Sequence, residues 1–171
     1  MGPRAMFNSI VVMTTVGLGV LAVATANTQT TDTLAPDRAA VGDALDTLHQ
    51  AAAAADFDRY FGLYAREFVF LGTDGTERWD RVEMMDYARE PFSQGRGWSY
   101  SLIERHVVIG PGRQTAWFDE RLDNAFLGET RGSGVLVVEN GTWKVAQYNL
   151  TIPIPNDLAG EVVERIRGQR E

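Results

Sequence analysis

The segment AWFDERL at 116–122 places two carboxylates, Asp119 and Glu120, side by side among apolar residues. Adjacent residues of a β-strand point to opposite faces, so at most one of these carboxylates enters the interior. The more apolar face contains Ala116, Phe118, Glu120 and Leu122. We therefore expect Glu120 to point inward and Asp119 outward. A carboxylate among apolar walls has a raised pKa, which suits a general base near neutral pH.

The alternative role for Glu120 is a structural ion pair. Arg131 on the next strand and Arg105 on the preceding strand are its candidate partners. Structural pairs also perturb pKa values, so the sequence leaves both roles open. In the catalytic alternative, Glu120 or, failing that, Asp119 is the base, and Arg131 is a candidate donor to the oxygen of an enolate.

Two amides, Gln147 and Asn149, share one face of a later strand with Trp143 and Val145. Amides on such a core-like face need hydrogen-bond partners from the protein, from water or from a ligand. We expect both to line a pocket, where they contact a ligand or form an internal network. Gln147 and its neighbour Tyr148 are further candidate donors to an enolate oxygen.

Aromatic residues make up 10% of the chain, and most of them should be core. Trp79 and Trp98 have charged and glycine neighbours, so we predict them at the mouth of a pocket for a small, largely apolar ligand. Tyr64 belongs to an aromatic helical stripe that is typical of core and is also a candidate ligand contact.

The two histidines are His49, at the flank of an apolar helical stripe, and His106. His49 is a candidate pocket residue. The chain has no cysteine and no HxxxH or HxH motif, so we predict neither a metal site nor a cofactor. The alternative is a metal site formed by a histidine and carboxylates that are distant in sequence. No phosphate-binding loop and no GxSxG motif occurs in the sequence.

Helix signals surround these residues. Helix caps are predicted at Asp37, Asp56, Asp80 and Asn156. Asp80 with Glu83 three residues later forms a capping box, and this helix should end near Pro91. The last helix should bury one apolar face, formed by Leu158, Val162, Val163 and Ile166.

Strand signals dominate after Gly97, where aromatic and β-branched residues rise and glycine-rich breaks recur. Strands are predicted at 67–71, 98–109, 114–124, 130–139 and 142–154, with a hairpin at Asn140-Gly141. Helices followed by long strands indicate an α+β fold, in which a curved antiparallel sheet packs on the N-terminal helices.

The first 26 residues have the layout of a signal peptide, with Arg4 ahead of an apolar run and the small residues Ala24 and Ala26 before the cleavage point. Residues 27–36 should be a flexible lead-in, and 37–171 a single domain. We expect a secreted or periplasmic protein without membrane attachment after cleavage. An uncleaved membrane anchor is the alternative. The formal net charge of −7 argues against nucleic-acid binding.

Several segments resemble the SnoaL-like proteins of the nuclear transport factor 2-like superfamily. They are DFDRYFGLYAREFVFLGTDGTERW, AWFDE, RGSGVLVV and GTWKVAQYNLTIPIPND. The resemblance covers about 37–157 and implies a cone-shaped sheet with an apolar pocket at its open end and, commonly, dimers packed through the sheet. In characterised enzymes that it resembles, a carboxylate abstracts a proton next to a carbonyl without a metal.

Three hypotheses follow. The first is an exported domain that binds a small, largely apolar molecule. The second is a metal-free isomerase, cyclase or dehydratase that uses a pocket carboxylate as general base. The third is a structural or partner-binding homodimer, packed through the sheet face that bears Trp117 and Tyr148.

Overall fold

The computed structural model describes residues 32–169. The predicted signal peptide at 1–26 and the start of the predicted lead-in lie outside the described residues. Within 32–169, no helix is both long enough and apolar enough to cross a membrane.

Four helices and six strands form the fold. The helices are α1 (Ala35–Ala53), α2 (Phe57–Gly62), α3 (Arg81–Ser93) and α4 (Ala159–Gly168). The strands are β1 (Tyr64–Leu71), β2 (Arg78–Asp80), β3 (Ser101–Ile109), β4 (Thr115–Asn124), β5 (Gly128–Glu139) and β6 (Thr142–Thr151). The short strand β2 was not predicted from the sequence.

All six strands form one sheet in the order β2-β1-β6-β5-β4-β3. Neighbouring strands are antiparallel except β1 and β6, which run parallel. The prediction of a purely antiparallel sheet is therefore wrong at this pair. A parallel pair needs a long crossover, and here the whole chain from β2 to β5 supplies it. The α+β class with a curved sheet is confirmed, and irregular pairings within the sheet contribute to its curvature.

Helix α1 supplies the inner layer over the concave side of the sheet. Its buried residues are Val41, Leu45, Leu48, Ala51 and Ala52. They belong to one hydrophobic cluster with the inward residues of β4, β5 and β6, which are Ala116, Phe118, Leu122, Leu136, Trp143, Val145, Tyr148 and Leu150. The apolar face of α1 is therefore what holds its polar residues over the sheet.

Several local predictions are confirmed. Asp56 accepts a hydrogen bond from the Arg59 backbone N–H at the start of α2. Asp80 and Glu83 form the expected capping box at the start of α3. Asn140 and Gly141 have φ values of 52° and 75°, as a two-residue hairpin of type I′ requires.

Other helix predictions are wrong. Helix α1 begins at Ala35, so Asp37 lies in its first turn instead of capping it. Helix α3, by contrast, ends at Ser93, two residues beyond Pro91, in agreement with the prediction that it ends near this proline. Helix α4 begins at Ala159 without a side-chain cap. None of its residues is buried, so its predicted apolar face stays partly in solvent.

Candidate functional site

Alternation along β4 places Glu120 on the inner face, where the residue is 1% exposed. The prediction that Glu120 points inward is confirmed. Asp119 is exposed on the outer face, near His106, Arg121 and Arg131. The two neighbouring carboxylates therefore lie on opposite sides of the sheet.

The Glu120 carboxylate accepts hydrogen bonds from three side chains. Tyr148 Oη donates to Oε1 at 2.7 Å, and Arg105 Nε donates to Oε2 at 2.7 Å. His49 Nε2 lies 2.8 Å from Oε1. These three residues come from β6, β3 and α1, so the group exists only in the folded chain.

The environment of Glu120 lowers its pKa. Burial alone would raise this pKa, but the hydrogen bond and charge of His49, the charge of Arg105 and the Tyr148 hydroxyl outweigh it. The expectation of a raised pKa is therefore wrong, because the sequence showed the apolar walls and not the three donors. Glu120 is ionised at neutral pH.

An ionised Glu120 fixes the proton positions on His49. The carboxylate can only accept, so Nε2 of a neutral His49 carries the proton and Nδ1 carries the lone pair. Within residues 32–169, Nδ1 has no hydrogen-bond partner, and it is not among the buried unpaired atoms. The basic nitrogen of His49 is therefore accessible.

Arg105 is the ion-pair partner of Glu120, as one of the two sequence alternatives proposed, and Arg131 is exposed. Arg105 Nη1 also donates to the Gly42 carbonyl at 3.1 Å and to Asp46 Oδ1 at 2.7 Å. Asp46 and Glu120 thus both form ion pairs with the buried guanidinium. This arrangement fixes the strand β3 to helix α1.

A β-bulge in β6 determines which of its residues face inward. Leu136 pairs with Val145 and Val135 with Gln147, so Ala146 is the extra residue. Beyond it, Tyr148 and Leu150 are buried, whereas Gln147 is exposed and Asn149 is half-buried on the outer face. The expectation that Gln147 and Asn149 face inward is therefore wrong. The same bulge removes Tyr148 from the outer sheet face, to which the homodimer hypothesis assigned it.

Gly132 makes room for this polar group. It pairs with Glu120 in the β4–β5 register. A Cβ at position 132 would lie 2.3 Å from Tyr148 Oη and 3.0 Å from Glu120 Cγ. The missing side chain thus allows the tyrosine hydroxyl to reach the carboxylate.

A cavity of about 210 Å³ opens between the helices and the sheet. Its polar lining residues are Thr73, Glu77 and His49. Its aromatic lining residues are Tyr60, Tyr64, Phe70, Trp79, Tyr87, Trp98, Tyr100 and Tyr148, and its aliphatic ones are Leu48, Ala52, Met84, Leu127 and Leu150. Tyr87 is 55% exposed, so the cavity reaches the surface at α3.

The structure brings together five of the predicted ligand contacts, which are His49, Tyr64, Trp79, Trp98 and Tyr148. Glu120 lies behind His49 and Tyr148 and does not line this cavity. Arg131, Gln147 and Asn149 do not line it either.

Burial keeps three tyrosines of the cavity protonated. It raises the pKa of Tyr60 to about 12 and the pKa values of Tyr64 and Tyr148 well above their usual range. The rings of Tyr60 and Tyr64 lie edge to face, 5.0 Å apart. Because the Tyr148 hydroxyl donates its hydrogen bond to Glu120, Tyr148 Oη can accept a hydrogen bond from a ligand.

Sequence reasoning missed Asp46 and the pairing of His49 with Glu120. Gly42, Asp46 and His49 recur at i, i+4 and i+7, which places them on one face of α1. That spacing was the available signal. Within 32–169, no group of three His, Cys, Asp or Glu side chains could hold a metal ion.

A sequence profile of the SnoaL-like domain family matches residues 41–155. The chain belongs to this family. The expected SnoaL-like, nuclear transport factor 2-like (NTF2-like) membership is thereby confirmed. A comparison of the SnoaL-like chain with functionally curated proteins finds no match.

Solved structures similar to this SnoaL-like chain share its fold at low sequence identity. A proposed dehydratase of the NTF2-like family from Streptomyces avermitilis is 16% identical, with a TM-score of 0.59 over 70% of this chain and 99% of that one. An NTF2-like protein from Cytophaga hutchinsonii is 16% identical, with a TM-score of 0.57 over 68% and 98%. A protein of cystatin-like fold from Nostoc punctiforme is 12% identical, with a TM-score of 0.55 over 70% and 92%.

Proposed function

We propose that this SnoaL-like chain is an exported domain that binds a small, largely apolar molecule in the cavity between α1, α3 and the sheet. The observation that carries the proposal is the cavity lining, in which aromatic and aliphatic side chains predominate and which includes His49 and Tyr148. Sites of this composition are typical of small-molecule pockets. The sequence of residues 1–26 supports export.

The polar end of such a ligand has two partners in the wall. His49 Nε2–H and the Tyr148 hydroxyl both donate hydrogen bonds to Glu120. The lone pairs of His49 Nδ1 and Tyr148 Oη can therefore accept a hydrogen bond from a ligand hydroxyl. The apolar remainder would lie among the aromatic rings. A ligand with one hydroxyl on an apolar body can donate a hydrogen bond to one of these two acceptors while its apolar body contacts the rings.

We test binding with 4-tert-butylphenol by isothermal titration calorimetry on the whole protein. The expected dissociation constant is about 1 mM or tighter, as is reasonable for a small fragment in an apolar pocket. Ala52→Phe puts a ring into the cavity and should abolish binding, whereas Ala53→Phe adds the same ring on the exposed side of α1. Equal binding by both variants, or none by the wild type, would contradict the proposal.

A second candidate function, proton transfer next to a carbonyl, is favoured by the His49–Glu120 pair. In this reaction His49 Nδ1 takes a proton from the carbon beside the carbonyl, and the C–H electron pair forms the enolate. The neutral hydroxyl of Tyr60, which accepts a hydrogen bond from Tyr64, is a candidate donor to the enolate oxygen. Glu120 then acts as a positioning residue that orients the ring and stabilises its charged form.

Hydrogen–deuterium exchange of 4-phenylbutan-2-one in D2O, followed by NMR, tests this candidate. His49→Asn should lower the exchange rate by about 100-fold, because general base catalysis is lost. His106→Asn is the matched control, since His106 is exposed on the outer face. Exchange at the buffer rate in the wild type, or an unchanged rate in His49→Asn, would reject the enzymatic candidate while leaving ligand binding intact.

A further inference from the structure

The cavity wall carries charge of one sign. Among its lining residues, Glu77 is the one with a full charge at neutral pH apart from the titratable His49, and neither lysine nor arginine contributes to the described wall. Glu77 Oε2 accepts a hydrogen bond from the Asp74 backbone N–H at 3.2 Å. Within residues 32–169, Glu77 forms no ion pair with a basic side chain.

Two basic side chains that contact wall residues or the hydrogen-bond partners of wall residues are held by other groups. Arg81 Nη1 donates to the backbone carbonyls of Phe61 and Tyr64 at 2.8 and 3.3 Å. Arg105 is held by Glu120 and Asp46. An anionic ligand would therefore lose its hydration without gaining a counter-charge, which is unfavourable. The net charge of −7 acts in the same direction.

Three aromatic rings of the same cavity wall follow one another. Centroids of Trp79 and Tyr87 lie 4.6 Å apart, and those of Tyr87 and Trp98 lie 6.2 Å apart. Phe70 stacks on Trp79, with ring centroids 5.7 Å apart. Ring faces carry partial negative charge and attract cations, with tryptophan the strongest of the aromatic side chains.

We propose that the cavity selects an organic cation, an ammonium group with apolar substituents, which lies against Trp79, Tyr87 and Trp98 beside the Glu77 carboxylate. This inference rests on the proposed binding function and specifies its ligand class. An alkylated ammonium suits an apolar wall because its carbon substituents bury apolar surface while its charge stays within reach of the rings and the carboxylate.

Two probes of the same shape, one cationic and one neutral, measure the effect of a positive charge on the ligand's affinity. The first, 4-(trimethylammonio)phenol, differs from 4-tert-butylphenol by a positively charged nitrogen in place of a carbon, and both carry the same ring and hydroxyl. Calorimetric titration of the whole protein at low ionic strength should show the cation binding about tenfold more tightly. Equal or weaker binding of the cation overturns the inference, while binding of the neutral probe still supports the proposed function. If neither probe binds, both fail.

The near-isosteric variant Glu77→Gln tests whether the Glu77 carboxylate attracts the cationic probe. It should weaken binding of the cation by about fivefold and leave the neutral probe unaffected, because only the Coulombic attraction is removed. Glu67→Gln is the matched control, since this exposed carboxylate of β1 does not line the cavity. An unchanged cation affinity in Glu77→Gln, or an equal loss for both probes, overturns the assignment.

Discussion

At the scale of single residues, Glu120 acts through its neighbours. The side chain is buried, ionised and held by three donors, and it does not line the cavity. Its negative charge fixes the proton of a neutral His49 on Nε2, and its Oε1 accepts a hydrogen bond from the Tyr148 hydroxyl. In the proposed binding mode, a ligand contacts His49 Nδ1 and Tyr148 Oη, whose hydrogen-bonding roles are set by a carboxylate outside the cavity.

Glu120→Gln should lower the free energy of unfolding by about 3 kcal/mol, because the change leaves the buried guanidinium of Arg105 with half of its carboxylate partners. Urea unfolding at pH 7 measures this loss. Glu104→Gln on the exposed face is the control and should change stability little. Equal stability of the two variants would show that the Glu120 cluster contributes nothing to folding.

The lowered pKa of Glu120 also predicts an acid dependence. A carboxyl group whose folded-state pKa lies below its unfolded value of 4.5 stabilises the fold above pH 4.5, and this contribution is lost as pH falls through the folded pKa. The unfolding free energy of the wild type should therefore decline more steeply below pH 4.5 than that of Glu120→Gln. An equal decline of the unfolding free energy below pH 4.5 in the two proteins would contradict this prediction.

A feature of the site can be predicted from the sequence when adjacent residues determine it, and cannot when distant parts of the chain do. Alternation along β4 is local, so the inward direction of Glu120 was predictable. The direction of Gln147 and Asn149 was not, because the bulge at Ala146 reverses the alternation and only the register with β5 reveals it. The pKa of Glu120 depends on donors from α1, β3 and β6, which no local pattern contains.

At the scale of elements, the contact between Glu120 of β4 and Tyr148 of β6 depends on Gly132 of β5. Glu120 and Tyr148 occupy the space that a side chain at this position would need. Local patterns predicted the capping box of α3 and the Asn140-Gly141 hairpin, because these depend on a few adjacent residues. The parallel pairing of β1 with β6 depends on the whole chain between them, so it was not predictable in this way.

Gly132→Ala should lower the free energy of unfolding by about 2 kcal/mol, since its Cβ displaces the Tyr148 hydroxyl from Glu120. The tyrosine shift should also weaken binding of 4-tert-butylphenol. Ser133→Ala is the control, because the next residue of β5 faces the other side of the sheet. Chemical unfolding and calorimetry of both variants decide between a local steric effect and a general weakening of β5.

At the scale of the whole molecule, the outer face of the sheet carries exposed apolar residues. Trp117 is 47% exposed, and Val108, its partner in the β3–β4 register, is 44% exposed. We propose this face, without Tyr148, as the contact of a homodimer, because two copies would cover apolar surface that is otherwise in water.

Trp117→Arg should convert a dimer into a monomer by placing a charge in the middle of this contact. Analytical ultracentrifugation at about 50 μM, a concentration that suits a contact of micromolar affinity, measures the change. Phe126→Arg is the control, since this aromatic residue is 92% exposed between β4 and β5 and away from the face. A monomeric wild type, or dissociation in both variants, would contradict the proposed contact.

The cavity between α1, α3 and the sheet is the proposed binding site of a small molecule. A crystal structure of the protein with saturating 4-tert-butylphenol tests this proposal. We expect the ligand in the cavity beside Trp79 and Trp98, with its hydroxyl within hydrogen-bond distance of His49 Nδ1 or Tyr148 Oη. A ligand bound elsewhere, or a cavity closed by its own side chains at saturation, would contradict the proposed binding site.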